Sequence, residues 1–268
     1  MIEIAGKPLD TTSLVGLSEV EAAILNSLAN TNVLYNYPSQ RELSFELALR
    51  SNTVHASISL LRSGARFESF KQSYCNPRFW NRMPNGAFQL RRGISPAQAI
   101  NDIFYNGQLY GFECATAIII LFYKAVLESI DRASFDRLFQ NLYLYSWEHD
   151  EDLNLETRQG TDFVIGDCLY FINPDVAPEN SVWRGENVIK LNEDLYYGHG
   201  IAIASSEQII NHLNEQRRPG SQTSAYLLNQ VTRLNFTYVR TFSAIGYTPR
   251  SGLDTAILIQ EQSRVRLL

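Results

Sequence analysis

Apolar residues recur at helical intervals through much of the first half of the chain. The periodicity predicts helices over Glu19 to Ala29 and Gln40 to Arg50. A separate helix is expected over Thr53 to Leu61, ending near Gly64, because glycine is the usual residue just beyond a helix end. The beginning of the chain is therefore expected to be mainly helical.

Two turn signals follow these helices. Phe79 to Leu90 contains two aromatic or aliphatic runs on either side of Pro84-Asn85-Gly86, a pattern typical of a β-hairpin. Ser95 followed by Pro96 is typical of a helix start, and that helix is expected to stop near Asn106-Gly107. These elements lead into the most apolar part of the chain.

The most apolar segment follows Gly111-Phe112-Glu113-Cys114. Residues Ala115 to Leu127 are apolar on all sides, which indicates a buried central helix. The run from Cys114 to Val126 is too short to cross a bilayer and contains Lys124, so no membrane span is expected. Another helix is expected over about Ser134 to Gln140.

Short runs of β-branched and aromatic residues between turn formers mark the second half. They predict strands over Tyr143 to Trp147, Phe163 to Ile172, Asn187 to Leu191 and Tyr196 to Ala204. A helix is expected over Glu207 to Gln216, with Ser205 or Ser206 as its cap and Gly220 beyond its end, whereas the tail from Thr241 is weakly patterned. The predicted class is α+β, with the buried helix packed on an antiparallel sheet.

Composition narrows the class of protein. The 268 residues show no repeat or linker, and we interpret them as a single domain, 1–268. A hydrophobic fraction of 45% and a charged fraction of 19% are ordinary for a soluble protein. The net charge of -5 argues against a nucleic-acid partner. The first residues lack the basic start and apolar core of a secretory signal.

Three cysteines, an odd and sparse set, favour a reducing cytosol, and none has zinc-site spacing. Cys114 stands out because a thiol in the first helical turn faces unpaired backbone N–H groups and the positive end of the helix dipole, which favour the reactive thiolate. The alternative is a small residue filling the core. Cys168 lies in a predicted strand and is expected to be inert, and Cys75 lies in a polar loop, where it could be exposed, without a nearby base.

A cysteine nucleophile usually works with a histidine base. His55 and His212 lie in predicted amphipathic helices, and His149 lies in an acidic loop. His199 is flanked by glycine on both sides, which permits close approach of a substrate or another backbone segment. His199 is therefore the candidate base, against the alternative of a hydrogen-bonded core histidine.

A predicted hairpin supplies a partner for this histidine. Folding the chain about Asn192-Glu193-Asp194 brings Glu186 and Asn187 opposite His199, and either side chain could orient the imidazole. The sequence does not decide between them, because a bulge exchanges the side chain that faces the histidine.

Three further residues are weaker candidates. Glu113 is either a second carboxylate of the site or an acidic residue favoured at a helix start. Trp183 and Trp147 are candidates for the walls of a substrate channel, with core packing as the alternative.

Four segments of the chain carry a further signal: Tyr110-Gly-Phe-Glu-Cys-Ala-Thr-Ala, Gly166-Asp-Cys-Leu-Tyr-Phe-Ile-Asn-Pro, Trp183-Arg-Gly-Glu-Asn-Val-Ile and Gly198-His-Gly. Together, and in this order, they resemble the small bacterial spore-coat transglutaminases of bacilli. The resemblance covers about residues 33–235 and leaves 1–32 and 236–268 as unassigned extensions.

The resemblance implies a papain-like core of the NlpC/P60 kind. It assigns Cys114, Glu186 and His199 to catalysis, with Glu113 as a possible second carboxylate, and Asn187 lies within the same motif. It implies no calcium and no cofactor. The implied partners are spore-coat proteins with glutamine donors and lysine acceptors, joined by a monomeric enzyme made in the mother cell and deposited on the coat.

The expected reaction is a two-step acyl transfer. The thiolate attacks a glutamine carboxamide, ammonia leaves with a proton from the imidazolium, and a lysine amine then takes the acyl group. Backbone N–H groups at the helix start are expected to hold the oxyanion. The alternatives are a cysteine hydrolase that cuts cell-wall peptides and a non-catalytic coat protein.

Overall fold

A buried helix lies at the centre of the fold, where the apolar run predicts it. The computed structural model describes residues 1–10 and 14–243. The helices are α1 (Glu19–Ala29), α2 (Gln40–Ser63), α3 (Pro96–Tyr105), α4 (Cys114–Ser129), α5 (Arg132–Leu138), α6 (Ser206–Glu215) and α7 (Phe236–Arg240). The central helix, α4, packs on α2 on one side and on the main sheet on another.

Helix α2 is one continuous element, so the prediction of two helices was wrong. The residues around the expected break favour turns when exposed, but here their polar side chains are buried and bonded. Asn52 donates to Ser129 Oγ at 2.8 Å, and the Thr53 hydroxyl donates to the Leu49 carbonyl at 3.0 Å. The helix therefore continues to Gly64, whose φ of 85° ends it.

Within the described residues, the strands form one large sheet and three small ones. They are β1 (Ile2–Ile4), β2 (Lys7–Pro8), β3 (Tyr35–Tyr37), β4 (Arg66–Phe67), β5 (Trp80–Arg82), β6 (Phe88–Leu90), β7 (Gly111–Phe112), β8 (Tyr143–Leu144), β9 (Leu155–Gln159), β10 (Cys168–Ile172), β11 (Gly185–Asn192), β12 (Leu195–Gly198), β13 (Ala202–Ala204), β14 (Tyr226–Leu227) and β15 (Gln230–Leu234). The large sheet is antiparallel, in the order β13-β12-β11-β10-β15-β9 with β14 paired to β10. The small sheets are β2-β1-β3, β4-β7 and β5-β6-β8. The α+β class is confirmed.

Two predicted strands are shorter than expected. In the segment from Phe163 to Ile172, pairing starts only at Cys168, because Gly166 turns the preceding backbone with a φ of 87°. The segment from Tyr143 to Trp147 keeps only its first two residues as a strand.

The predicted run from Tyr196 to Ala204 is two strands, β12 and β13, rather than one. They meet at a turn in which Ile201 N–H donates to the Gly198 carbonyl at 3.2 Å. This correction moves His199 from a strand into a turn. The hairpin between β11 and β12 and the bulge that could disturb its register are both confirmed.

A buried ion network joins α2 to the sheet. The fully buried Asp167 accepts from Arg50 Nη1 at 2.7 Å and from Arg233 Nη2 at 2.6 Å. Arg50 also donates through Nε to Glu46 at 2.8 Å. Each guanidinium is thus held by carboxylates that water does not reach.

We expect Asp167→Asn to lower the free energy of unfolding by about 3–5 kcal/mol, because it leaves two buried guanidinium groups without the charge between them. Denaturant unfolding followed by tryptophan fluorescence measures the loss. Asp175→Asn is the matched control, because it removes a carboxylate from the surface pair with Arg218. An equal fall in the free energy of unfolding for the two variants would contradict the claim that the buried ion pairs stabilise the fold more than the surface pair.

Candidate active site

Cys114 is the first residue of α4, and Glu113 caps the helix. The carboxylate of Glu113 accepts from Ala115 N–H at 3.0 Å and from Thr116 N–H at 2.9 Å. These two donors are therefore not available to the thiol or to an oxyanion. For these two N–H groups, the expectation that the backbone at the helix start would serve the thiol and the oxyanion was wrong.

The thiol is buried, with 7% of Cys114 exposed. Asn187 Nδ2 donates to Sγ at 3.5 Å, and Sγ lies 3.5 Å from Glu113 Oε2. Burial raises the pKa of the Cys114 thiol well above its usual range, the charges of Glu186 and Glu113 raise it further, and the amides of Asn187 oppose the rise. The resting site holds a thiol, and the expectation of a thiolate favoured by the helix start was wrong.

Glu186 lies beside this thiol and is 0% exposed. One of its oxygens accepts from Gly200 N–H at 3.2 Å, and within the described residues the other has no hydrogen-bond partner. Burial raises the pKa of Glu186 to about 8, and the charge of Glu113 adds to the rise, against hydrogen bonds from the Gly200 and His199 backbone and from the Cys114 thiol. The carboxyl thus changes charge close to neutral pH.

The flanking glycines make room for that carboxyl. A Cβ at Gly198 would lie 2.8 Å from Glu186 Oε1, and a Cβ at Gly200 would lie 2.8 Å from the ring of Trp183. The close approach suggested by the Gly-His-Gly motif therefore involves Glu186 and an indole of the chain itself.

His199 is half-buried in the same turn, and its ring stacks on Phe112 at 4.7 Å. Its Nδ1 lies 3.1 Å from the Tyr197 hydroxyl and its Nε2 lies 3.1 Å from the Arg66 carbonyl. Because a carbonyl only accepts, Nε2 carries the proton and Nδ1 accepts from the tyrosine. Burial lowers the pKa of His199 to about 4, so the ring is neutral at pH 7. Both ring nitrogens therefore form hydrogen bonds with groups other than the thiol.

The two tryptophans have different neighbours in the site. Trp183 stacks on Phe67 at 5.2 Å and meets His212 edge-on at 4.6 Å. Trp147 lines a cleft of about 550 Å³ together with Ala115 and Asn187. Aromatic surface therefore borders both the Glu186 side and the Asn187 side.

The sequence model of the family described as "Protein-glutamine gamma-glutamyltransferase" matches residues 1–243. The chain belongs to this family. It is therefore a transglutaminase, an acyltransferase that cross-links proteins. The match includes residues 1–32, which the sequence resemblance leaves unassigned, and it ends at residue 243.

Several relatives have the same description. The chain is 45% identical to the protein-glutamine gamma-glutamyltransferase of Bacillus pumilus over 242 residues, covering 90% of this chain and 98% of the relative. It is 44% identical to that of Bacillus cereus strain AH820 over 230 residues, covering 86% and 83%. A solved transglutaminase from Geobacillus stearothermophilus, without its C-terminal extension, is 51% identical with a TM-score of 0.75, covering 78% of this chain and 100% of that one.

The structure adds residues to this transglutaminase site that the sequence analysis did not select. Tyr170 pairs with Asn187 across β10 and β11, and both line the cleft beside Trp147. His149 lines it too, with Nδ1 at 2.6 Å from the Trp147 carbonyl. Strand alternation could have indicated Tyr170, because directly opposed residues in an antiparallel pair share a face. The acidic residues around His149 indicate an exposed loop, so the sequence did not point to a place in the cleft.

The other thiols lie apart from these contacts. Cys168 is buried, and burial raises the pKa of its thiol, in keeping with an inert role. Cys75 is half-buried rather than exposed, and burial raises its pKa to about 11. Within residues 1–10 and 14–243, no three or more His, Cys, Asp or Glu side chains gather as metal ligands. In the same part of the chain, no helix combines the length and the hydrophobicity needed to cross a membrane.

Proposed function

We propose that Cys114 is the nucleophile of this transglutaminase and that Glu186 exchanges its proton. The observation that carries the proposal is a buried carboxyl beside a buried thiol, with the pKa of Glu186 raised to about 8. A carboxyl with such a pKa accepts a proton and returns it near neutral pH.

The reaction follows from this pair. Glu186 takes the thiol proton as Sγ bonds to the carboxamide carbon of a protein glutamine, and the carbonyl electrons move to oxygen. The tetrahedral intermediate collapses, the C–N bond breaks, and ammonia leaves with the proton from Glu186. A lysine amine attacks the thioester, gives a proton to Glu186 and forms the isopeptide bond, and the proton returns to the thiolate.

Other residues receive supporting roles in this proposal. His199, the histidine assigned to catalysis by the resemblance, is neutral and engaged, and its backbone N–H helps to hold Glu186. Glu113 caps α4 and is a second carboxylate near the thiol. Trp183, Trp147 and Asn187 are proposed to bind the substrate.

The biological setting is also a proposal. The Bacillus source of the relatives supports a role in the spore coat, with coat proteins as glutamine donors and lysine acceptors. We propose an NlpC/P60-type core, supported by the packing of α4 on the antiparallel β11. In this proposal the enzyme is a monomer and needs no calcium. It is made in the mother cell and deposited on the spore coat.

We expect the purified chain to release ammonia from a glutamine peptide and, with a primary amine present, to form the amide product. EDTA is expected to leave both rates unchanged. Ammonia release and mass spectrometry of the peptide are the measurements. Cleavage of a cell-wall peptide with no ammonia release from glutamine would instead support a cysteine hydrolase, and dependence on calcium would contradict metal-free catalysis.

A further inference from the structure

Most of the N–H groups at the start of α4, which commonly stabilise an oxyanion in acyl transfer, are already bonded. Three of its first four N–H groups are bonded to Glu113: Ala115 and Thr116 to the carboxylate, and Ala117 to the carbonyl at 3.0 Å. The same carboxylate puts a negative charge at this end of the helix. An oxyanion beside Cys114 therefore needs a donor besides the Cys114 N–H.

Asn187 supplies a donor at the right place. The residue is 6% exposed, and Nδ2 donates to Cys114 Sγ at 3.5 Å. Its backbone belongs to β11, which is held between β10 and β12 in the interior of the sheet. The donor is thus buried and fixed before substrate arrives, which is the condition for effective electrostatic stabilisation.

The cleft gives a substrate access to this donor. Asn187, Ala115 and Tyr170 are among the residues that line it, and its volume is about 550 Å³. A carboxamide carbon bonded to Sγ carries its oxygen only two bonds from the sulfur. An N–H group that reaches the sulfur in the free enzyme is therefore within range of that oxygen once the S–C bond has formed.

We propose that the Asn187 carboxamide is the oxyanion donor of the reaction, in both the acylation and the transfer step. The inference rests on the proposed function and assigns Asn187 a catalytic role beyond substrate binding. When Sγ bonds to the carboxamide carbon, the carbonyl electron pair moves to the oxygen. The negatively charged oxygen then accepts a hydrogen bond from Asn187 Nδ2–H. Collapse returns that pair to the carbonyl as ammonia leaves, and attack by the lysine amine repeats the cycle.

The test compares two reactions of one thiol. Ammonia release from a glutamine peptide passes through an oxyanion, whereas alkylation of Cys114 by iodoacetamide is a displacement at a tetrahedral carbon and does not. We expect Asn187→Ala to lower kcat for ammonia release by about 10²–10³-fold, the cost of losing one such donor. The alkylation rate at the same pH is expected to fall by much less, because it loses only the contribution of Asn187 to the ionisation of the thiol.

Asn192→Ala is the matched control, because it removes the same side chain from the other end of β11. Asn187→Leu, of similar volume and without a donor, replaces the alanine variant if that one fails to fold. Undiminished ammonia release by the variant, or an equal fall in both reactions, would overturn the oxyanion role. Failure of the wild-type chain to release ammonia would instead overturn the proposed function.

Discussion

Cys114→Ala is expected to abolish ammonia release, amine incorporation and protein cross-linking together. Each requires the thioester, and alanine offers no nucleophile. The expected loss in kcat is on the order of 10⁶-fold, which is the cost of removing the nucleophile of another covalent acyl-transfer enzyme. The measurement is ammonia release from a glutamine peptide, with and without a primary amine.

Mass spectrometry tests the same prediction directly. Without an amine, the wild-type chain should gain the mass of the peptide less that of ammonia, and the Cys114→Ala variant should gain nothing. Cys75→Ala is the control, because it removes a half-buried thiol in another part of the fold and should retain the adduct. An adduct or released ammonia in the purified Cys114→Ala variant would exclude Cys114 as the nucleophile.

The elements that the sequence predicts best are those determined by neighbouring residues, such as an amphipathic repeat or a helix cap. Helix α1 matches its prediction residue for residue, and Ser95 caps the helix that begins at Pro96. By contrast, α2 continues through polar residues because its neighbours satisfy them, information that is absent from the local sequence. Strand β9 was missed because it is a largely exposed strand without an apolar alternation.

At the site, the sequence identified the residues but not their arrangement. Cys114, Glu186 and Asn187 do lie together, because α4 packs on β11. The sequence could not show that the Glu113 carboxylate turns back onto its own helix or that the His199 ring is bonded to Tyr197 and Arg66. Those contacts depend on side-chain packing between segments far apart in the chain.

The proposed role of Glu186 predicts a specific pH dependence. Below its pKa of about 8 the carboxyl holds a proton and cannot accept one from the thiol, so activity should rise as the pH increases through that value. Because Glu186 and Cys114 interact, the pKa seen in this profile describes the loss of the first proton from the pair, not from one residue alone. If His199 were the base, its pKa of about 4 would leave the imidazole neutral and able to accept a proton at pH 6. Activity would then show no rise near pH 8 from the ionisation of the base.

Glu186→Gln keeps the shape of the side chain but removes its ability to take a proton. We expect kcat/KM for ammonia release to fall by about 10²–10⁴-fold and the rise near pH 8 to disappear. His199→Gln should cost less and retain that rise, because it leaves the carboxyl and the backbone N–H groups that bind it. The reverse ranking, with the pH profile lost in the histidine variant and kept in Glu186→Gln, would assign the proton to the imidazole. Residual activity in Glu186→Gln that falls further when Glu113 is also changed to Gln would show that the second carboxylate, at 3.5 Å from the sulfur, shares the proton.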